Sequence, residues 1–184
     1  MRMPTLKRRW TADDLQDLPD DGNRYEVIDG ELFVTPSPTS VHQEAAGRLY
    51  RLLANYLDTE RVGHPFIAPL DVEFSNTRVV QPDVFVVPLV AGRRPERFGR
   101  LLLAVEVLSP STARADRVAK RVLFRNEAVA EYWIVDLDSR TIERSTPADE
   151  RVDVLADQLS WHPQDAASPL IIDLSHYFAD VLEA

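Results

Sequence analysis

The sequence contains no cysteine among its 184 residues. This absence excludes disulfide bonds, thiolate metal sites and a cysteine nucleophile, so any bound metal must have oxygen or imidazole ligands. Long apolar runs are also missing, since no stretch approaches the roughly 18 consecutive apolar residues of a membrane-spanning helix. The basic residues Lys7–Arg9 precede Asp13 and Asp14 rather than the apolar segment of a signal peptide. We therefore expect a cytoplasmic protein with no membrane partner.

Glycine is scarce as well, with 6 residues, and no glycine-rich phosphate loop, zinc-ligand spacing or Gly-x-Ser-x-Gly motif occurs. Internal repeats, low-complexity tracts and long linkers are absent too. The length is typical of one domain with one substantial core. We expect a single domain over residues 1–184.

The formal net charge of −9 argues against a polyanionic partner, because surfaces that bind phosphate are usually basic. The charge is unevenly distributed, however. Residues 91–125 contain 9 Lys and Arg against 3 Asp and Glu, whereas residues 126–184 contain 3 against 13. The basic segment could seat a phosphodiester, or it could be a solvated face with its counter-charges folded beside it.

A β-hairpin is predicted near the N-terminus, after a short capped helix over residues 11–18. The segments Arg24–Ile28 and Glu31–Thr35 have the composition of strands. Asp29-Gly30 between them accepts the positive φ angles of a type I′ turn. A longer helix follows from Ser40 to about residue 57, with Ser40 and Gln43 spaced as a capping box. Its apolar stripe consists of Ala45, Ala46, Leu49, Leu52, Leu53 and Tyr56.

Strands dominate the rest of the chain. They are predicted at Pro65–Phe74, Val79–Val87, Leu101–Leu108, Glu131–Leu137, Thr141–Ser145, Val152–Leu155 and Leu170–Ile172. Ala91–Arg100 is predicted as a basic loop, and residues 112–128 as a helix with Val118, Val122 and Phe124 near one apolar face. A terminal helix begins at Ser175.

From residue 40 to residue 137 the predicted order is helix, three strands, helix and strand. This order indicates an α/β sandwich with a mixed sheet. The core would span about residues 40–137, with an N-terminal β-hairpin and a C-terminal β extension added to it.

Glu106 is the most informative residue, because it is a lone carboxylate inside the apolar segment 101–108. A buried ionised carboxylate costs several kcal/mol unless a cation or hydrogen-bond donors compensate it. Glu106 could form a structural ion pair with an arginine, or it could reach solvent at the end of its strand. It could also be one ligand of a metal ion.

Asp83 supports the metal hypothesis, since it lies in the preceding apolar strand. If the two strands are neighbours, Asp83 and Glu106 converge on one point, where they repel unless a divalent cation lies between them. Two hard oxygen ligands with positions left for water and phosphate suit Mg²⁺ or Mn²⁺. The alternative for Pro82-Asp83 is an ordinary strand-entry turn.

Lys120 is the third candidate. Asp116, Lys120 and Phe124 are spaced i, i+4, i+8 and share one helix face, so Lys120 could reach the two carboxylates. There it would orient or help to deprotonate a water molecule and offset charge on the phosphorus. The alternative is an exposed Asp116–Lys120 pair that contributes only about 0.3 to 0.5 kcal/mol.

Six short motifs occur in order between Arg24 and Asp136. They are Arg24-Tyr-Glu-Val-Ile-Asp-Gly-Glu31, Ser37-Pro with His42-Gln, Pro82-Asp-Val, Val105-Glu-Val-Leu-Ser-Pro-Ser-Thr112, Asp116-Arg with Lys120, and Glu131-Tyr-Trp-Ile-Val-Asp136. Together they resemble the Uma-two family of putative restriction endonucleases, a bacterial branch of the PD-(D/E)XK nuclease superfamily. The resemblance implies a restriction-endonuclease-like αβββαβ fold and Mg²⁺- or Mn²⁺-dependent cleavage of DNA, with Asp83 and Glu106 as metal ligands.

The sequence departs from the superfamily pattern at one position. The superfamily lysine would fall two residues after Glu106, where this chain has Leu108, so Lys120 would have to replace it from the helix. Glu26 and His42 match family motifs and are expected to line the cleft, although solvent exposure or simple hydrogen bonding is an equal alternative for His42.

Two other functions compete with a DNA endonuclease. A non-catalytic nuclease-fold module for binding or assembly agrees with the acidic net charge. A metal-dependent hydrolase of small phosphodiesters agrees with the same candidate residues. Nucleases that cut both strands often dimerise, and the apolar C-terminal strands could form an interface, so a homodimer is expected.

Overall fold

The computed structural model describes residues 8–91, 100–110 and 112–183. The strands found there are β1 (Arg24–Ile28), β2 (Glu31–Thr35), β3 (Gly63–Ile67), β4 (Val72–Ser75), β5 (Arg78–Val80), β6 (Val84–Pro88), β7 (Leu103–Val107), β8 (Tyr132–Asp136), β9 (Thr141–Ser145), β10 (Asp153–Leu155), β11 (Gln158–Trp161) and β12 (Leu170–Asp173). The helices found there are α1 (Ala12–Leu15), α2 (Ser40–Glu60), a 3₁₀ turn (Leu89–Ala91), a π-helix (Ala115–Lys120), α3 (Arg121–Asn126) and α4 (Leu174–Leu182).

The strands of these described segments form a mixed sheet of six strands in the order β10-β9-β8-β7-β6-β3. β7 and β8 run parallel, and the other neighbours in this sheet run antiparallel. A second sheet has the order β2-β1-β5-β4, and β11 pairs with β12. The predicted mixed α/β class is therefore confirmed.

The six-stranded sheet is covered on both faces, because successive side chains of its central strands point to opposite sides. On one face Val105 and Val107 of β7 pack in a core with α2, α4 and the β11–β12 pair. On the other face Ala104 packs with α3 and residues of the small sheet. Glu106 lies between Val105 and Val107, so its side chain is on the α3 face.

The N-terminal hairpin has the predicted form. β1 and β2 have the predicted bounds, and their register runs from Arg24–Thr35 to Ile28–Glu31. Asp29 and Gly30 have φ angles of 52° and 84°, as a type I′ turn requires. β1 also pairs with β5, which makes it an inner strand of the small sheet.

The prediction of one continuous strand from Val79 to Val87 was wrong. The segment is two strands in different sheets: β5 belongs to the small sheet and β6 to the large one. They are separated by Gln81–Asp83, where Pro82 has no N–H to donate to a ladder. Asp83 consequently lies where the chain crosses between the sheets, immediately before β6.

The predicted apolar face of the helix after β7 was also wrong. Val118 and Val122 are 59% and 52% exposed, while the buried residues of the π-helix are Asp116 and Lys120. Only Phe124 of the predicted apolar face is buried. The buried face is instead formed by Asp116, Lys120 and Phe124, the three residues whose i, i+4, i+8 spacing predicted a shared helix face.

Smaller corrections concern α2 and the C-terminus. The N-cap of α2 is Thr39, whose hydroxyl accepts from the amide of His42, and not Ser40. Leu52, predicted in the apolar stripe, is 36% exposed. Strand β11 was not predicted.

Most of the predicted basic loop lies outside the described residues. Within the described residues, no helix has both the length and the apolar composition of a membrane span.

Candidate functional site

Asp83 is held by donors from three different elements. β6 pairs antiparallel with β7, and the amide of Val107 donates to Asp83 Oδ2 over 2.8 Å. Arg24 Nη1 on β1 lies 2.6 Å from Asp83 Oδ1, and His42 Nε2 in the first turn of α2 lies 3.0 Å from Oδ2. The Asp83 carboxylate, 3% exposed, thus has a donor on each oxygen.

These donors determine the charge of Asp83. Burial raises the pKa of a carboxyl group, but the hydrogen bond from His42 and the charge of Arg24 outweigh it, and the pKa of Asp83 is lowered. Asp83 is therefore ionised at neutral pH. An ionised carboxylate at this position can accept hydrogen bonds or bind a cation.

Lys120 lies at the centre of a second group of buried charges. Its Nζ is 2.8 Å from Glu106 Oε1, 2.9 Å from Glu26 Oε1 and 3.6 Å from Asp116 Oδ1. All four side chains are buried, with exposures of 3% or less. The alternative of an exposed Asp116–Lys120 surface pair is excluded by this burial.

Three buried carboxylates share this one ammonium group. Burial lowers the pKa of Lys120, but Glu106, Glu26 and Asp116 together raise it well above its usual value, so the lysine stays protonated. Burial raises the pKa of Glu106 strongly, and Lys120 offsets this only in part because Asp83, Asp116 and Glu26 add negative charge nearby. Glu106 therefore binds a proton more readily than an ordinary glutamate.

Glu106→Gln is expected to change how stability depends on pH in the metal-free protein. A carboxyl group with a raised folded-state pKa loses stabilising free energy as the pH rises from its unfolded pKa, about 4.3, through the raised value. The variant should therefore gain stability relative to wild type as the pH rises above about 4, by at most about 1.4 kcal/mol per pH unit. Urea unfolding in EDTA at several pH values measures this difference, and parallel pH profiles would contradict it.

The backbone near Gln81 connects the two groups of charges. Glu26 Oε1 accepts from the amide of Gln81, and Arg24 Nη1 is 3.4 Å from the carbonyl oxygen of the same residue. Arg24 and Glu26 are two residues apart on β1, so both point to the same face. The structure thus brings Asp83, Glu106 and Lys120 together with Glu26 and His42.

Two residues of the site were not assigned a role from the sequence. Arg24 occurs in the hairpin motif, and its position two residues before Glu26 was the available signal. Asp116 was identified as sharing a face with Lys120, but its burial was not foreseen, since nothing in the hydrophobic pattern indicates a π-helix. The hydroxyl of Tyr132 donates to the Asp116 carbonyl oxygen over 3.1 Å, which fixes this turn against β8.

A cleft of about 510 Å³ opens beside Asp83. It lies between the β2–α2 connector, the segment after β7 and the end of β8. Its lining includes Arg24, Thr39, His42, Ser109, Arg117 and Asp136. The cleft therefore reaches Arg24 and His42, the two side chains that contact Asp83.

The charges of the site leave room for a divalent cation. Four buried carboxylates, Glu26, Asp83, Glu106 and Asp116, face the two permanent cations Arg24 and Lys120. Asp116 Oδ1 is buried without a hydrogen-bond partner among the described residues. Within the same residues no three His, Asp or Glu side chains form a metal-binding group. Mg²⁺ is commonly held by one or two carboxylates plus water and phosphate, so Asp83 and Glu106 fit it in charge and ligand type.

The basic segment 91–125 has counter-charges folded beside it in its described part. Arg117 donates to Asp136 and Glu143 over 2.7 and 2.6 Å. Arg125 donates to backbone carbonyl oxygens of residues 147 and 149. For these arginines the interpretation as a solvated, paired face is the better one.

Comparison with known proteins gives consistent matches. The model of the Uma2 (Uma-two) family, described as a putative restriction endonuclease, matches residues 12–174. The uncharacterized protein slr1290 of Synechocystis sp. is 30% identical over 125 residues, which are 65% of this chain and 64% of that protein, so the chain spans less than two thirds of the length of this relative.

A solved structure has the same fold. The crystal structure of a putative nuclease belonging to DUF820 from Anabaena variabilis superposes with a TM-score of 0.77 at 21% sequence identity, covering 94% of this chain and 99% of that one. At this identity the likeness concerns the fold. The family match extends over most of the chain, and this chain therefore belongs to the Uma2 family of putative restriction endonucleases.

Proposed function

We propose that this protein is a metal-dependent endonuclease that hydrolyses DNA phosphodiester bonds with Mg²⁺ or Mn²⁺. The observation that carries the proposal is the convergence of Asp83, immediately before β6, and Glu106, on the neighbouring strand β7, with Lys120 Nζ 2.8 Å from Glu106. Membership of a nuclease family supports it. The cleft lined by Arg24 and His42, the side-chain partners of Asp83, would receive a substrate phosphate.

Asp83 and Glu106 would hold the metal ion. When bound, such an ion polarises a phosphoryl oxygen and lowers the pKa of a water molecule. Asp83 is prepared for this role because it is ionised. A bound cation would favour the ionised form of Glu106, whose pKa burial otherwise raises.

Lys120 would act as a cation and not as a base. Its pKa is raised, so Nζ keeps its proton at neutral pH and cannot accept one from water. It can donate a hydrogen bond to an oxygen that gains negative charge as the bond to phosphorus breaks. Glu26 would position Lys120 by accepting from Nζ, and His42 would orient Asp83 through Nε2.

The test is cleavage of supercoiled plasmid DNA by the purified protein. Nicked or linear product is expected with Mn²⁺ or Mg²⁺, and none in EDTA. Cleavage in EDTA would contradict the proposal, as would a protein that binds Mn²⁺ but leaves all DNA intact. Turnover of a chromogenic phosphodiester without salt-sensitive DNA affinity would indicate a small-molecule hydrolase instead.

A non-catalytic nuclease-fold module is a second candidate, favoured by a specific observation. In the structure Asp83 contacts Arg24, and Glu106 contacts Lys120. A site balanced in this way can be a structural element alone. Calorimetry distinguishes the two candidates, because the module would show no heat of Mn²⁺ binding. The expected DNA partner, homodimer and cytoplasmic location remain predictions.

A further inference from the structure

We propose that Arg24 is a mobile counter-cation of this site. With the cleft empty it neutralises Asp83, and a substrate phosphate in the cleft draws its guanidinium away and frees Asp83 Oδ1 for the metal. This inference rests on the proposed function and adds to it a residue that couples the binding of nucleic acid to the binding of metal.

The contacts of Asp83 show where a metal would compete. Oδ2 accepts from the Val107 amide and lies 3.0 Å from His42 Nε2. Oδ1 has Arg24 Nη1 at 2.6 Å, a short charge-assisted contact. Arg24 and a divalent cation would both bind Asp83 Oδ1, and their positive charges repel each other. Each therefore weakens the binding of the other at this oxygen.

Arg24 itself is incompletely bonded in this position. Its Nε is buried and has no hydrogen-bond partner in the described part of the chain. A buried donor without a hydrogen-bond partner destabilises the position that it occupies. A phosphate can accept from Nε and from a terminal nitrogen of the same guanidinium, in the two-point geometry that arginine favours.

The surroundings of Arg24 favour an anion. Its side chain is 14% exposed and lines the 510 Å³ cleft. The N-terminus of the 21-residue helix α2 is at the same wall, where Thr39 and His42 line the cleft, and helix N-termini attract phosphate. His42 is 5% exposed, and its Nδ1 is a second buried atom for which the described residues offer no partner.

The coupling is reciprocal by thermodynamic necessity. If a phosphate removes Arg24 from Asp83, metal affinity rises when nucleic acid is bound, and nucleic-acid affinity rises when metal is bound. The site then binds metal more weakly until a phosphodiester enters the cleft, because Arg24 holds Asp83.

The closing experiment compares Arg24→Gln with Arg117→Gln. Arg117 also lines the cleft, but its partners are Asp136 and Glu143 and not Asp83. Two affinities are measured without turnover: Mn²⁺ alone by calorimetry, and a fluorescent DNA duplex in EDTA by anisotropy. Arg24→Gln should bind Mn²⁺ about fivefold more tightly and DNA about fivefold more weakly than wild type. Arg117→Gln should leave Mn²⁺ affinity unchanged.

The opposite changes in Mn²⁺ affinity and DNA affinity distinguish the proposal from a purely structural role of Arg24. A damaged site would lose both affinities, so Arg24→Gln with weaker or unchanged Mn²⁺ binding overturns the inference. Absence of Mn²⁺ binding in wild type and variant alike would remove the proposed function, and this inference with it. Folding should persist, since Asp83 keeps Val107 and His42 as partners.

Arg24→Lys provides a second test that keeps the charge. A lysine beside Asp83 should hold Mn²⁺ affinity near the wild-type value, while DNA affinity falls because the two-point contact to phosphate is lost. If Arg24→Lys instead binds DNA as wild type does, Arg24 is not the phosphate ligand.

Discussion

Replacing Asp83 by asparagine is expected to lower the rate of Mn²⁺-dependent DNA cleavage by about a thousandfold or more while the protein stays folded. The substitution keeps the size of the side chain and removes its charge. A bound metal ion lowers the free energy of the transition state by several kcal/mol, and this contribution is lost when a ligand of the ion is removed. Each 1.36 kcal/mol or so corresponds to a factor of ten in rate. Initial rates of plasmid nicking measure the effect.

The stability of Asp83→Asn should fall only moderately. The three donors around Asp83 are the Val107 amide, Arg24 and His42. The asparagine oxygen can accept hydrogen bonds from one or two of these donors. A donor left without a partner lowers the free energy of unfolding by about 1 to 3 kcal/mol. Calorimetry should show Mn²⁺ binding reduced in parallel with cleavage.

Asp153→Asn is the matched control for this variant. Asp153 carries the same functional group, but it is 57% exposed and pairs with Arg144 on the strands β9 and β10. Its replacement should change neither cleavage nor Mn²⁺ affinity. Normal cleavage by Asp83→Asn would remove Asp83 from the reaction.

Replacing Lys120 by methionine is expected to lower the free energy of unfolding by about 3 to 5 kcal/mol at neutral pH, because it leaves buried carboxylates without their cation. Glu26, Glu106 and Asp116 all lie within 3.6 Å of Lys120 Nζ in the wild-type protein. The folded-state pKa values of Glu106 and Asp116 should rise in the variant, because the charge of Lys120 lowers both in the wild-type protein. A carboxyl group whose pKa is raised in the folded state destabilises the protein as the pH increases. The difference in unfolding free energy between wild type and Lys120→Met should therefore be smaller at about pH 5 than at neutral pH.

Urea unfolding at two pH values measures this loss. Arg140→Met serves as the control, because Arg140 pairs with Glu183 at the surface, where both side chains are more than half exposed. The control should stay within about 0.5 kcal/mol of wild type. A Lys120→Met protein as stable as wild type at neutral pH would contradict the buried charge group.

The double variant Lys120→Met with Glu106→Gln separates stability from chemistry. Removing one of the unpaired carboxylates should restore part of the unfolding free energy. Cleavage should stay lost, since both a metal ligand and the ammonium group are missing. Recovery of cleavage along with stability would mean that Lys120 acts only through folding.

The sequence predicted best where local chemistry decides the conformation. The hairpin around Asp29-Gly30 has the predicted bounds, because a two-residue turn with two positive φ angles fixes its own strands. The lone acid Glu106 in an apolar strand correctly indicated a buried counter-charge. Its partner Lys120 followed from helical spacing.

Prediction failed where tertiary structure overrides local pattern. Val79–Val87 has strand composition on both sides of Gln81–Asp83, and the two-sheet architecture shows that the chain changes sheets at Pro82. Val118 and Val122 are apolar yet exposed, because the buried side of the π-helix is used by Asp116 and Lys120. Hydrophobic periodicity cannot identify such a face, since there the charged residues are inside.

The contacts of Glu26 and Arg24 from β1 have a consequence for the order in which the protein is made. The ribosome completes the hairpin long before it adds Lys120, so in an unfinished chain Glu26 has no ammonium group to bind. Asp83 likewise emerges before Val107 supplies its amide. A nascent chain that ends before the π-helix cannot assemble this site, because it lacks Lys120, the cation of the buried group.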